Sequence, residues 1–321
     1  MKKALKIGGY ILGSVLLLLA FGAAYIQFNG TPKYEVVLPE YPMFKADSTM
    51  IAEGKRTFSL VCNNCHMAQS GKLEGKFLPE IPAMFGKAWS ANITSHPVYG
   101  TGRYSNAELA YLLRTGIQKD GDYIPFMPQF THLSDSDVQN IIAYLRSGAP
   151  ELAPSDVAQP AAQPSFFGKL LTRTVMKPKP YPTQPIPTPP SNDAVALGRY
   201  LVTAKLDCYG CHSPDFMSVD SDFPEKTPGY LSGGNELQDE EGKPILSRNL
   251  TPDKATGLGN WTEEQFVKAI KTGIRPNGPA LRFPMTPFAA LTDDEAKAIW
   301  AYLQTVPAIN NDVDKLEKKK P

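Results

Sequence analysis

Cys62-Asn63-Asn64-Cys65-His66 and Cys208-Tyr209-Gly210-Cys211-His212 hold all four cysteines of this chain, and both spell C-x-x-C-H. A disulfide within each pair is one reading of an even cysteine count in an exported protein. Four thiolates on zinc is a second, and a thioredoxin-like redox pair is a third. The pairs lie 146 residues apart with a proline-rich stretch between them, and no βαβ pattern surrounds either. None of the three readings calls for a histidine directly after the second cysteine. Attachment of c-type haem does: two thiols add to the haem vinyl groups, and the next side chain is thereby held beneath the iron as proximal ligand. Cys62, Cys65 and His66, and Cys208, Cys211 and His212, are the expected attachment and proximal residues for two covalently bound haem c groups.

Working outward from the two motifs, the sequence repeats itself. Asn92 and Thr94 match Asn249 and Thr251, Tyr104 matches Trp261, and Thr115-Gly116-Ile117 matches Thr272-Gly273-Ile274, all at an offset of 157. At an offset of 158, Met127 matches Met285, Phe130 matches Phe288, and Tyr144-Leu145 matches Tyr302-Leu303. Helix signals recur in step. Ser105-x-x-Glu108 and Thr262-x-x-Gln265 have capping-box spacing ahead of apolar-periodic runs that end at Gly116 and Gly273. Ser134-x-x-Asp137 and Thr292-x-x-Glu295 open a final helix in each half, and only the second carries the preferred glutamate. Before each motif a helical segment bears Gly54 or Gly198, where a small residue admits another helix, with Tyr144 or Tyr302 as the expected contact.

An iron that only passes electrons needs a sixth ligand, and a loop-borne thioether suits the task. Met127 and Met285 are the expected iron ligands beside His66 and His212: each sits in a proline-containing loop, Pro125-Phe126-Met127-Pro128 and Pro284-Met285-Thr286-Pro287, at the same repeat position. Met67 follows a proximal ligand directly, and Met84 and Met217 have no counterpart, so these three are expected to serve packing. His96 and His132 face Asp253 and Ala290 in the repeat and are expected at the surface. For the acceptor of each proximal imidazole N–H, Pro82 and Pro228, 16 residues after the histidine, are candidates.

The N-terminus places Lys2, Lys3 and Lys6 before 22 residues, Ile7 to Phe28, without a charged side chain. About 20 apolar residues span a bilayer core, whereas a secretory signal needs only about 7 to 15. The expectation is a single-pass anchor in a bacterial inner membrane, with the positive-inside bias sending the remainder to the periplasm. The alternative is a long cleavable signal ending near Ala23 and Ala24. The 33 basic and 32 acidic residues nearly cancel, so nothing in the overall charge points to nucleic acid.

Eleven prolines between Pro150 and Pro190 suggest an extended, semi-rigid connector. Within it, Phe166 to Tyr181 mixes apolar and basic side chains and is expected to strap the two halves, with lipid or partner contact as the other reading. Between motif and repeat asparagine the second half is 11 residues longer, and this extra length, with Gly233-Gly234 and Asp239-Glu240-Glu241, reads as a solvated hairpin rather than a metal loop. The expected organisation is an anchor or signal at 1–30, one domain at 45–149, a linker at 150–192, a second domain at 193–310 and a charged tail at 311–321, of which Lys315 to Lys320 is expected to be frayed and solvated.

These residues resemble class I cytochrome c. The second half more specifically resembles the haem domains of multihaem cytochrome subunits of membrane-bound alcohol and gluconate dehydrogenases, through Cys208 to His212, SRNLTPDKATGLGNW from Ser247 to Trp261, KTGI from Lys271 to Ile274 and FPMTPF from Phe283 to Phe288. The first half carries the likeness more weakly. The resemblance implies an all-α fold of two tandem class I cytochrome c domains after a single N-terminal transmembrane helix, with His/Met-ligated haem c. It implies an electron carrier, not an enzyme, taking electrons from a dehydrogenase donor and passing them to a cytochrome or oxidase acceptor of the respiratory chain. The chain departs from that family in having two haem motifs and an N-terminal apolar segment, where the dehydrogenase subunits have three motifs and a C-terminal tether. The competing reading is a dihaem enzyme such as a peroxidase, which requires an open or displaceable sixth position on one iron. A third reading is a subunit that chiefly docks another respiratory protein.

Overall fold

Helices supply nearly all the regular structure of residues 2–317, the part of the chain that this computed structural model describes. The first is α1 (Lys2–Asn29), a 28-residue helix. Its span Leu5–Asn29 has a mean hydropathy of 2.0 and none of it is buried. The first half then runs through α2 (Ser48–Val61), α3 (Asn63–His66), the short strand β1 (Gly86–Lys87), α4 (Asn106–Thr115) and α5 (Asp135–Leu145). The segment between the halves contains β2 (Gln163–Pro164) and α6 (Phe166–Thr174). The second half repeats the plan with α7 (Ala194–Tyr200), α8 (Cys208–His212), the hairpin β3 (Glu236–Gln238) and β4 (Pro244–Leu246), α9 (Glu263–Thr272), α10 (Asp293–Leu303) and finally α11 (Val313–Glu317).

The local signals act as their chemistry dictates. Ser105 and Thr262 both form complete capping boxes with Glu108 and Gln265, which satisfy backbone donors that a helix start otherwise leaves open. Gly116 and Gly273 end those helices at φ 73° and 78°, a left-handed conformation that costs glycine little. The first helix of each half packs on the last, α2 on α5 and α7 on α10. Glycine sets the approach: a Cβ on Gly54 would lie 1.9 Å from the Asn140 carbonyl oxygen, and one on Gly198 1.9 Å from that of Ala298. Tyr144 and Tyr302 sit at those crossings, and the Phe58 and Tyr144 rings lie 5.3 Å apart.

The halves join through a quasi-symmetric exchange of carboxylates. Asp137, in the first turn of α5, accepts from Tyr200 Oη at 2.5 Å and pairs with Lys205 at 3.1 Å. Glu295, its repeat equivalent in α10, pairs with Arg56 of α2 at 2.5 Å. Arg56 and Tyr200 both follow the crossing glycine by two residues. Lys205 has no such equivalent. The second half holds two more residues between crossing glycine and first cysteine, and Leu201–Lys205 takes them up as a π-helical turn closed by Leu206 N–H donating to Leu201 O at 2.9 Å. One apolar cluster runs through both halves.

Two expectations are corrected. The proline-rich segment is not a spacer. Its start completes the first half: Leu152 is fully buried, and Asn92 Nδ2 donates to the carbonyls of Ser155 and Val157, both at 2.9 Å. Further on, β2 pairs antiparallel with β1, α6 packs beside Phe85, and Tyr181 stacks on Tyr111 at 5.9 Å. Proline has no N–H, so such a strand leaves few donors to satisfy and can lie along a surface on widely spaced contacts. Of the strap across the halves, this stretch supplies Lys179, which pairs with Asp222 at 2.8 Å. Nor is the described part of the tail free: Val313 is buried, and Asp314 and Glu317 both pair with Arg248. Buried apolar contact and two carboxylates on one guanidinium hold α11; residues 318–321 lie outside the described residues. The 11-residue extension does form a hairpin, with Leu237 paired to Ile245.

Candidate functional site

Each C-x-x-C-H motif is a single helical turn. Cys62 caps α3, which ends at His66, and α8 contains its whole motif. Residues three apart share a helix face, so each turn presents its two thiols together with the imidazole next in line. His66 Nδ1 donates to the Ala91 carbonyl at 2.9 Å, and His212 Nδ1 donates to that of Arg248 at 2.7 Å. A proton held on Nδ1 leaves the Nε2 lone pair as the free ligating atom. Burial lowers the pKa of both imidazoles, which favours the neutral form that a metal needs.

The accepting carbonyls are placed by the repeat asparagines. Asn92 Oδ1 accepts from Thr94 N and Oγ1 at 3.0 and 2.7 Å, and Asn249 Oδ1 accepts from the same atoms of Thr251 at 2.9 and 2.7 Å. Ala91 and Arg248 directly precede those asparagines, so the acceptors are repeat equivalents. The expected Pro82 and Pro228 do not fill this role. Two glycines hold roles that sequence reasoning missed, and Gly233, expected in a solvated hairpin, is buried before it: Gly75 N–H donates to His66 O at 3.0 Å, and Gly233 N–H to His212 O at 2.7 Å. Both have φ above 70° and lie against backbone, where a side chain would clash. A glycine within the loop after each motif was the available signal.

In the second half, Cys208, Cys211, His212 and Met285 line one cavity of about 480 Å³. Its remaining walls are mostly apolar, including Trp261, Leu258, Phe266 and Ile270. Three guanidiniums, of Arg248, Arg275 and Arg282, also line it. Burial, then the neighbouring Arg248, lowers the pKa of Arg275, and Asp314 pulls the other way. In the first half, Met127 is half-buried and packs on the cluster that contains Cys62 and Phe130.

Residues 49–145 match the family described as cytochrome c oxidase, cbb3-type, subunit III, and residues 195–307 match the family described as cytochrome c. Both halves are cytochrome c domains. Among curated relatives, the alcohol dehydrogenase (quinone) cytochrome c subunit of Gluconacetobacter polyoxogenes is 32% identical over 82% of this chain and 57% of its own length. The fructose dehydrogenase cytochrome subunit of Gluconobacter japonicus is 29% identical over 77% of this chain and 50% of its own. The chain thus spans about half the length of these dehydrogenase subunits. A protein named diheme cytochrome c-type from Cereibacter sphaeroides is 27% identical over 92% of this chain and 97% of its own length.

Cytochrome c domains bind haem c, and the cavity of the second domain has the lining that such a group needs. An apolar pocket with a neutral imidazole and a thioether on its wall suits a haem plane, and Arg275 and Arg282, unlike Arg248 with its two carboxylates, are left to meet the haem carboxylates. The residues fit. The competing side chains lie elsewhere. Met84 and Met217 are 57% and 72% exposed and therefore do not serve the packing expected of them. Met67 is half-buried against the core. His96 is largely covered rather than at the surface: its Nε2 faces Asp156 at 3.0 Å and its Nδ1 accepts from Val98 and Tyr99 N–H. His132 is exposed and joins the two domains through Ser221 O at 3.0 Å.

Proposed function

We propose that this protein is a dihaem electron carrier anchored in a bacterial inner membrane by α1, with both cytochrome c domains on the periplasmic side. Cys62 and Cys65 attach one haem c and Cys208 and Cys211 the other. His66 with Met127, and His212 with Met285, would hold the two irons. The haem iron supplies one-electron chemistry when bound. The protein's own residues attach, orient and enclose it: the Ala91 and Arg248 carbonyls hold the imidazole tautomer, the proline-flanked loops present the thioethers, and the apolar walls limit water.

The observation that carries this reading is the convergence of Cys208, Cys211, His212 and Met285 on one cavity, in a domain whose partner repeats each of them at an equivalent position. With a histidine and a methionine both committed to each iron, neither would keep an open position for a substrate, which favours a carrier over an enzyme. The relatives' names support a dehydrogenase as donor; the acceptor in this proposal is a cytochrome or oxidase of the respiratory chain.

Visible absorption and electron paramagnetic resonance of the purified protein test the assignment, together with intact mass for the haem count. Two low-spin His/Met signals are expected, with Met127→Ala and Met285→Ala each removing one. A high-spin haem in the resting unmodified protein would overturn the carrier reading.

A further inference from the structure

We infer that α6 is an interfacial helix that lies on the phospholipid headgroups where α1 leaves the bilayer. This rests on the reading of α1 as a membrane anchor. The C-terminal end of any helix leaves carbonyls without intrahelical partners, and α1 has no basic residue in its own last turn. α6 supplies the donors: Lys169 Nζ donates to Gln27 O at 2.9 Å, and Arg173 donates to Gly30 O and Asn29 O, both at 3.0 Å. The Arg173 guanidinium also lies 5.0 Å from the centre of the Tyr25 ring. α6 is thereby fastened to the point at which a 25-residue apolar span ends.

The two sides of α6 differ in what they meet. Gly168 and Thr172 are buried, and a Cβ on Gly168 would lie 2.4 Å from Phe85 O, so this side is committed to the first cytochrome c domain. Phe167 joins that side, its ring 5.8 Å from that of Phe85, whereas Phe166 and, at the C-cap, Val175 are 43% and 61% exposed. Beside them, Lys169, Arg173 and Lys177 have no carboxylate within ion-pair distance among the described residues; carbonyls meet their N–H groups but leave their charge uncancelled. Apolar side chains beside uncompensated cations, at the foot of a membrane span, match a surface of phosphate headgroups over acyl chains. Seated there, α6 would fix the tilt of the first domain against the membrane, where a flexible tether would leave it free.

The test uses full-length holoprotein in nanodiscs of phosphatidylcholine with phosphatidylglycerol, the haems reduced, and a nitroxide at one introduced cysteine at a time. Val175→Cys reports on α6, Leu16→Cys on the middle of α1, and Asp239→Cys on the solvated hairpin tip. Relaxation by oxygen, which partitions into lipid, is compared with relaxation by a water-soluble nickel chelate. A Val175 label whose oxygen-to-nickel ratio lies between those of Leu16 and Asp239, and moves toward Asp239 when phosphatidylglycerol is omitted, is the expected result. A Val175 label matching Asp239 while Leu16 stays in lipid overturns the inference and leaves the anchor intact. A Leu16 label in water, or missing because the segment was cleaved, overturns the anchor itself. A Val175 label shielded from both reagents means that a protein covers α6, and also overturns the inference.

Discussion

Asn64 Nδ2 donates to Thr286 Oγ1 across 3.3 Å, joining the Cys62–His66 turn of the first domain to the residue that follows Met285 of the second. Asn64 also lines the second domain's cavity. A charge placed there stands close to both haem sites at once. Asn64→Asp is expected to lower both reduction potentials by stabilising the oxidised, more positive state, and Asn64→Lys to raise both, by on the order of tens of millivolts. Redox titration checks this. If only one potential moves, or if Glu240→Gln at the distant hairpin moves them equally, the junction is not shared.

The Asp137–Lys205 pair is 9% and 4% exposed, so its charges depend on each other. Lys205→Met is expected to cost about 3 to 5 kcal/mol by leaving a buried carboxylate short of a partner. Adding Asp137→Asn should restore most of that loss, because removing both charges also removes the desolvation penalty. Guanidinium unfolding of the holoprotein gives the cycle. A double variant as unstable as the sum of the single variants would show that the pairing is unimportant.

Gly198→Ala places a methyl group 1.9 Å from a backbone oxygen, which no side-chain rotation relieves. The α7–α10 crossing must open, at a cost of about 3 kcal/mol. Thermal unfolding should show a marked loss, whereas Gly242→Ala, with nothing nearby in the hairpin turn but a φ of 76°, should lose less.

Glu151 accepts from Tyr144 Oη at 2.6 Å and pairs with Lys55 at 2.8 Å. Burial alone would raise its pKa, but the hydrogen bonds from Lys55 and Tyr144 outweigh it and bring the carboxyl from 4.5 down to about 2. A depressed carboxyl stabilises the fold above its unfolded pKa, and that contribution is lost as pH falls from about 4.5 toward about 2. Glu151→Gln should therefore lower the melting temperature at neutral pH and converge on the unmodified protein near pH 2. Parallel melting curves across that range would rule out this linkage.

The parts of the site that were legible in the sequence depend on near neighbours. Cys62, Cys65 and His66 sit within one turn, capping boxes act over three residues, and Gly54 with Tyr144 announces a close crossing by residue size. The acceptors for the imidazoles were missed because every residue has a carbonyl, and identity at Ala91 and Arg248 carries no mark of the role. The contacts of the proline-rich segment were not legible because proline density marks a lack of donors, not a lack of contacts: Leu152, near its start, is fully buried.

The Lys55–Glu151–Tyr144 set shows where the division falls. Lys55 and Tyr144 have sequence equivalents in Arg199 and Tyr302, and these too meet a glutamate. That glutamate is Glu225, from the loop after the second motif, whereas Glu151 follows the last helix of its domain. The two C-x-x-C-H turns, the repeat and the helix ends were readable from residue order, because turn formation and capping are settled within a few residues. Packing alone selects which carbonyl orients each imidazole, which carboxylate completes each buried set and how the two domains meet at Asn64 and Thr286. Those choices depend on distances that exist only once the chain has closed.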